Sequence, residues 1–92
     1  MAQDTATVSW GDGVNFHIRV YSSNGVEITE RCWDPSNDKW YTGLFKDPGQ
    51  NVSATCWKVG FQVHIRVYAS NAGVTTEWCW DGDVWHKGAY TS

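Results

Sequence analysis

Apolar and polar residues alternate along several short stretches of the chain, which is the pattern of half-buried β-strands. Turn-forming pairs such as Asn-Gly, Asp-Gly and Asp-Pro separate these stretches, and no segment keeps a helical period. The pattern predicts eight strands, near residues 7–10, 15–22, 26–34, 39–45, 54–57, 62–69, 74–81 and 84–90. The chain is therefore predicted to be all-β.

The second half of the chain repeats the first. FHIRVYSSN matches VHIRVYASN at seven of nine positions, and ITERCWD matches TTEWCWD at five of seven, both at an offset of 47 residues. Trp40 matches Trp85 at an offset of 45, because WDPSNDKW in the first copy is two residues longer than WDGDVW in the second. The repeats cover about 7–50 and 54–92 of a single predicted domain, 1–92.

Tandem four-stranded units of about 40–45 residues are typical of β-propeller blades. Two blades cannot close a ring, and each would leave an apolar face open to water. A cyclic homo-oligomer of two, three or four chains would solve this with four, six or eight blades. A β-sandwich of two packed sheets is the alternative that needs no partner chain. The residues alone do not choose among these assemblies.

Each copy places an arginine in the middle of an apolar strand, where an unpaired charge costs stability. A two-residue turn at Asn24-Gly25 would set Arg19 directly opposite Glu30 on the next strand. The equivalent turn in the second copy would set Arg66 opposite Glu77. We therefore predict one cross-strand ion pair in each copy.

Strand alternation directs Trp33 away from the face that carries Glu30, and Trp80 away from the face that carries Glu77. In stacked blades, the tryptophan face of one blade would meet the arginine and glutamate face of its neighbour. This predicts a composite site for a sugar. Sugar hydroxyls accept hydrogen bonds from a guanidinium and donate them to a carboxylate, and the C–H face of the ring stacks on indole.

The composition supports a binding protein more than other classes. The chain contains 7 Trp, 4 Tyr and 3 Phe in 92 residues, far above the usual aromatic content. A net charge of −3 without a basic run disfavours nucleic acids and anionic membranes as partners. No apolar run is long enough to span a membrane, and MAQDTATVSW does not resemble a secretory signal. We therefore expect a soluble chain, whose export would need another route or a signal already removed.

The sequence offers no metal or cofactor site. Cys32, Cys56 and Cys79 are odd in number, and neither a CxxC motif nor zinc-like spacing of cysteine and histidine is present. The histidines at equivalent strand positions, His17 and His64, have no nucleophile at useful spacing, so a structural role is the better interpretation.

Two other function classes are open. A glycosidase could use the paired acids of either copy, Glu30 with Asp34 or Glu77 with Asp81. However, residues 30 and 34 lie about 13 Å apart along one strand, and the predicted ion pair would lower the pKa of each glutamate and make it a poor general acid. A propeller could also be a protein-interaction scaffold, which would bind no monosaccharide saturably. Release of free sugar would favour the enzyme, and absence of sugar binding would favour the scaffold.

An ordered set of motifs covers nearly the whole chain from Ser9: SWG, IRVY, ITERCWD, WYTG, NVSATCW, HIRVY, TTEWCWDGD and KGAYT. In these motifs the chain resembles the small bacterial fucose-binding lectins of the Ralstonia and Burkholderia type, relatives of the fungal Aleuria-type fucose lectins. The resemblance implies a six-bladed β-propeller formed by a homotrimer, with L-fucose and fucosylated oligosaccharides as ligands and no catalysis.

The resemblance also implies which residues bind the sugar. They are the arginine of IRVY, the glutamate of TE, the two tryptophans around strand ends, a glycine-containing segment, and the residue before each arginine: Arg19, Arg66, Glu30, Glu77, Trp33, Trp80, Trp40, Trp85, Gly43, Leu44, Gly88, Ala89, Ile18 and Ile65. One site, within a chain, would combine Arg66, Glu77, Trp33 and Trp40. The other, across a subunit boundary, would combine Arg19, Glu30, Trp80 and Trp85.

Overall fold

The computed structural model describes residues 4–91, which form eight antiparallel strands and no helix. The strands are β1 (Asp4–Gly11), β2 (Phe16–Ser23), β3 (Glu27–Trp33), β4 (Trp40–Pro48), β5 (Asn51–Val59), β6 (Gln62–Asn71), β7 (Val74–Trp80) and β8 (Trp85–Lys87). They form two four-stranded sheets, ordered β1-β2-β3-β4 and β5-β6-β7-β8. The all-β prediction is confirmed, and the sheets have the meander order of a pair of propeller blades.

The two sheets stack with β1 beside β5, so the repeats lie next to each other in the same orientation. The Asp4 carboxylate accepts a hydrogen bond from the Val52 amide at 2.8 Å, and the Cys56 thiol donates to the Ser9 carbonyl at 3.4 Å. Over the described residues, no helix is long and apolar enough to cross a membrane.

The predicted register of the first β2–β3 hairpin was wrong by two residues. Arg19 pairs with Cys32, and Tyr21, not Arg19, pairs with Glu30. The reason is the chemistry of Asn24. Its side-chain oxygen accepts hydrogen bonds from the backbone amides of Val26 and Glu27, at 2.9 and 3.0 Å, which moves the turn centre to Gly25-Val26.

The second hairpin shows the same displacement. The turn was predicted at Asn71-Ala72, but Asn71 pairs with Val74 as the last rung of the ladder. The central residues are Ala72 and Gly73, with φ angles of 52° and 83°. Positive φ at both central positions is the geometry that suits a two-residue hairpin turn, and Gly73 adopts it without a Cβ clash. Arg66 consequently pairs with Cys79 instead of Glu77.

A displacement of two residues leaves every side chain on its predicted face, because side chains alternate with a period of two. The first sheet turns a polar face, carrying Arg19, Tyr21, Glu30 and Cys32, toward the second sheet. The face of the second sheet that packs against it is aromatic and aliphatic, and carries Ile65, Val67, Trp78, Trp80 and Trp85. The predicted meeting of unlike faces is therefore confirmed.

Aromatic rings make the contact between the sheets. Trp85 meets Phe45 and Tyr21 edge-on, with ring centroids 4.9 and 6.1 Å apart. The Trp78 indole N–H crosses from the second sheet to donate to the Asp47 carboxylate of the first at 2.9 Å. Trp78 has no tryptophan counterpart in the first repeat, and the structure shows that it belongs to this contact.

We expect the core to depend on Ile28, which is fully buried between the sheets. Ile28→Ala should lower the free energy of unfolding by about 2–5 kcal/mol, because the lost methyl groups leave a cavity. Val26→Ala, at an exposed position two residues away, is the matched control and should change it by less than about 0.5 kcal/mol. Chemical denaturation of both variants measures the difference. Equal stability of the two variants would contradict this packing.

Candidate functional site

A cavity of about 290 Å³ lies between the polar face of the first sheet and the aromatic face of the second. The first sheet contributes two charged side chains and a segment of β4, and the second contributes an aliphatic side chain and two indoles. The lining residues are Trp10, Arg19, Glu30, Cys32, Tyr41, Thr42, Gly43, Leu44, Ile65, Trp80 and Trp85. The cavity therefore combines charged hydrogen-bonding groups with aromatic surface.

Arg19 is paired with Asp34, not with Glu30 as predicted. The guanidinium Nη1 lies 3.0 Å from Asp34 Oδ1 and also donates to the carbonyls of Ile18 and Trp33. The group sits 4.9 Å above the ring of Trp10, within cation–π range. The partly buried charge of Arg19 is therefore paired with a carboxylate, as expected, but the carboxylate is that of Asp34 and not the predicted Glu30.

The second copy repeats this arrangement. Arg66 Nη1 donates to Asp81 Oδ1 at 2.9 Å, and its guanidinium lies 4.9 Å above the Trp57 ring. His64 stacks on the same Trp57 ring at 5.2 Å and contacts Asp81 at 2.6 Å through Nδ1. The histidines predicted to be structural are therefore part of the network that holds each arginine.

Glu30 is buried but bound to groups other than arginine. The Tyr21 hydroxyl donates to Oε2 at 2.7 Å, and the Phe45 amide donates to Oε1 at 3.3 Å. Burial and the neighbouring Glu30 carboxylate raise the pKa of Tyr21, so its hydroxyl stays protonated and keeps donating. Glu77 has the equivalent partners: it accepts from Tyr68 at 2.8 Å and from the Tyr90 amide at 3.1 Å.

The pKa shifts of the cysteine and carboxylate side chains favour a binding site and argue against nucleophilic or acid catalysis. Burial, reinforced by Glu30, raises the pKa of the Cys32 thiol to about 11, so it carries no thiolate at neutral pH. Hydrogen bonds from Tyr68 and the Tyr90 amide lower the pKa of Glu77, which makes it a poor general acid. Burial alone opposes ionisation of Asp34, but bonds from its neighbours outweigh it and lower its pKa.

The aromatic pair in the cavity has the same geometry as its counterpart in the other repeat. Trp80 pairs with Trp85 across β7 and β8, with ring centroids 5.8 Å apart and planes at 49°. Trp33 pairs with Trp40 across β3 and β4, at 6.0 Å and the same angle. The longer loop before Trp40 therefore leaves the tryptophan pair unchanged.

Gly43 lies where β4 crosses the Glu30 side chain. A Cβ at this position would lie 2.0 Å from Glu30 Oε1 and 2.8 Å from Cys32 Sγ. Gly88 has the same relation to Glu77, with a Cβ distance of 2.1 Å to Oε1. Glycine fits at both positions because the glutamate carboxylate occupies the space of a side chain, and any larger residue would force the glutamate to move.

The structure brings together seven of the predicted site residues: Arg19, Glu30, Gly43, Leu44, Ile65, Trp80 and Trp85. The resemblance implied that Arg19 and Glu30 meet Trp80 and Trp85 across a subunit boundary. The structure instead brings these residues together within one chain. Arg66, Glu77, Gly88 and Ala89 belong to the face of the second sheet that turns away from the first, and Ile18, Trp33 and Trp40 to the opposite outer face. Within one chain, these seven residues therefore form two separate half-sites, one on each outer face.

Sequence reasoning missed Trp10, Cys32, Tyr41 and Thr42 in the cavity lining. The repeated Trp10/Trp57 pair was a signal, since a tryptophan recurring at a fixed distance before each arginine suggests a shared role. Asp34 and Asp81, at the end of each CWD motif, were also a signal for the arginine partner. Tyr41 left no such signal, because its counterpart at an offset of 45 is His86.

Gly43→Ala should destabilise the chain by about 1–3 kcal/mol, because the added methyl group forces the buried Glu30 carboxylate to move. Gly13→Ala is the matched control, since a Cβ there meets nothing within 4 Å. Chemical denaturation compares the two alanine variants. If Gly43→Ala is as stable as Gly13→Ala, the close approach of β4 to Glu30 is wrong.

Comparison with known families gives a match over nearly the whole chain. The model of the family described as fungal fucose-specific lectin matches residues 2–92. Comparison with curated proteins found no match.

Proposed function

The chain belongs to the fungal fucose-specific lectin family, and we propose that it binds L-fucose and fucosylated glycans in the cavity between its two sheets. Members of a lectin family bind carbohydrate without catalysis, so the glycosidase alternative is set aside. The observation that carries the proposal is the meeting of Arg19 and Glu30 with Trp80 and Trp85 in one cavity.

The cavity chemistry supports a sugar ligand. Hydroxyl groups both donate and accept, so one pyranose can accept from Arg19 and donate to Glu30 at the same time. The apolar side of the ring has Trp80 and Trp85 to pack against, and Ile65 supplies a small aliphatic surface suited to a methyl group. Charge-assisted hydrogen bonds of about 1.5–3 kcal/mol each, with ring stacking, are sufficient for micromolar affinity, about −8 kcal/mol.

We further propose that chains assemble so that the outer half-sites complete one another. The arginine and glutamate of the second sheet, Arg66 and Glu77, would meet Trp33 and Trp40 of a neighbouring chain. This repeats between chains the stacking of unlike faces seen within one chain, and it covers the exposed ring of Trp40. A homotrimer, as the resemblance implies, would carry six sites and gain avidity for fucosylated surfaces.

Calorimetric titration with L-fucose should show saturable binding without turnover. Arg19→Ala should abolish binding in the cavity within the chain, whereas Arg66→Ala should abolish only the sites between chains. Lys58→Ala, which removes an exposed positive charge outside the cavity, is the control and should bind normally. A folded protein that gives no binding signal with fucose would refute the lectin function and favour an interaction scaffold.

The mass in solution should be three times the chain mass of 10.4 kDa, and the stability should rise with protein concentration. Light scattering with and without L-fucose measures the assembly independently of affinity. A monomer that binds one fucose per chain would retain the cavity as a site and refute the ring assembly.

A further inference from the structure

The guanidinium of Arg19 has five N–H donors in one plane, and the protein uses only part of them. Asp34 occupies the end of the group: Oδ1 accepts from Nη1 at 3.0 Å and Oδ2 accepts from Nη2 at 3.4 Å. The carbonyls of Ile18 and Trp33 also accept from Nη1, at 3.0 and 3.2 Å. Within residues 4–91, Nε and the second N–H of Nη2 have no acceptor.

The two unused donors lie on the same edge of the guanidinium, and Arg19 lines the cavity. A pair of parallel N–H groups on one edge matches two adjacent oxygen atoms, such as vicinal hydroxyls of a sugar. The local charge adds a second requirement. Asp34 neutralises Arg19, and Glu30 adds a further carboxylate, so the cavity suits a neutral polyol better than an anion.

Asp34 is itself held in place by a separate set of contacts. His17 approaches Oδ1 through Nδ1 at 2.5 Å, and the Tyr41 hydroxyl donates to Oδ2. The His17 ring stacks on Trp10 at 5.1 Å with planes 8° apart, and the Arg19 guanidinium lies over the same indole. The carboxylate is buried and is absent from the cavity lining, so it acts on a ligand indirectly, through its partners Arg19 and Tyr41, which both line the cavity.

The second repeat makes the same connections through Nη1, although among residues 4–91 no Nη2–Oδ2 contact joins Arg66 to Asp81. Arg66 Nη1 donates to the carbonyls of Ile65 and Trp80, at 3.0 and 3.4 Å, and to Asp81. His64 contacts that carboxylate, as His17 contacts Asp34. Tyr41 and the longer loop occur only in the first copy, yet the arginine–aspartate and histidine–aspartate contacts occur in both. These contacts therefore do not depend on Tyr41 or on the length of the loop.

We propose that Asp34 is a positioning residue, which orients Arg19 so that its Nε–Nη2 edge faces the cavity and takes two adjacent oxygens of a neutral sugar. The inference rests on the proposed sugar binding, and it assigns the specificity for vicinal hydroxyls to this edge. Asp81 has the same role for Arg66.

Asp34→Asn tests the proposal, because it keeps the shape of the side chain and removes its charge. Affinity for L-fucose in the cavity should fall about ten- to a hundredfold, the range of one charge-assisted hydrogen bond. Glu27→Gln is the matched control: it removes the same charge from an exposed pair with Lys46, 3.6 Å apart, and should not change affinity. Denaturation and mass measurements confirm that the variants are folded alike.

A second readout needs no ligand. In the native protein, hindered rotation of the Arg19 guanidinium should give separate Nη proton signals by ¹⁵N-resolved NMR, and Asp34→Asn should average them. His17→Gln leaves the Asp34–Arg19 pair in place but removes the ring that contacts Asp34 and stacks on Trp10, so it should lower affinity severalfold and partly average the Nη signals even if Asp34→Asn does not fold.

The outcomes separate the two proposals. Fucose binding that is unchanged in Asp34→Asn and in His17→Gln, with unchanged Nη signals, overturns the positioning role while the lectin function stands. A native protein that binds no fucose overturns the proposed function, and the Nη signals then still test whether Asp34 orients Arg19. Reduced affinity with averaged signals supports the inference.

Discussion

The packing of the polar face of the first sheet on the aromatic face of the second is the contact on which the rest of the structure depends. Both sheets have the same two unlike faces, because they derive from the same repeated sequence. Stacking them in the same orientation therefore joins unlike faces automatically. The tryptophans cover the buried Tyr21 and Phe45, and the space left beside Arg19 and Glu30 becomes the cavity.

The same contact explains why the site is composite. A single sheet cannot present the charged and the aromatic groups on one face, since the two sets alternate along the strands. Neighbouring sheets must each supply half. One chain completes one such site and leaves two half-sites on its outer faces, which is the physical basis for expecting a neighbour of the same kind.

Within the cavity, the two charged groups belong to separate networks. Arg19 is held by Asp34 and backbone carbonyls, whereas Glu30 is held by Tyr21 and the Phe45 amide. Had the two formed a direct ion pair, each would have to release the other before meeting a ligand. Separate partners keep both groups fixed while leaving hydrogen-bonding capacity for the cavity, which is the preorganisation that favours binding.

Much of this could be predicted from the residues. The repeat defined two equivalent sheets, and alternation assigned Arg19 and Trp33 to opposite faces. The pairing across the first hairpin could not be predicted correctly, because Asn24 caps the turn through its side chain and moves the turn centre by one residue, which displaces every cross-strand partner by two. The predicted faces of the sheet are still correct, but the predicted partner of Arg19 is wrong. A two-residue displacement changes the cross-strand partner of a residue without changing the face on which its side chain lies.

The sequence by itself determined that the protein is all-β, that it contains two copies of one unit, and that arginine and glutamate oppose tryptophan across stacked units. Only the tertiary structure decided which carboxylate holds Arg19, and that Arg19 and Glu30 meet Trp80 and Trp85 within one chain. Periodicity along a strand specifies the side on which a residue lies. The identity of its partner depends on turn geometry and on the order in which sheets stack, and neither is encoded in that periodicity.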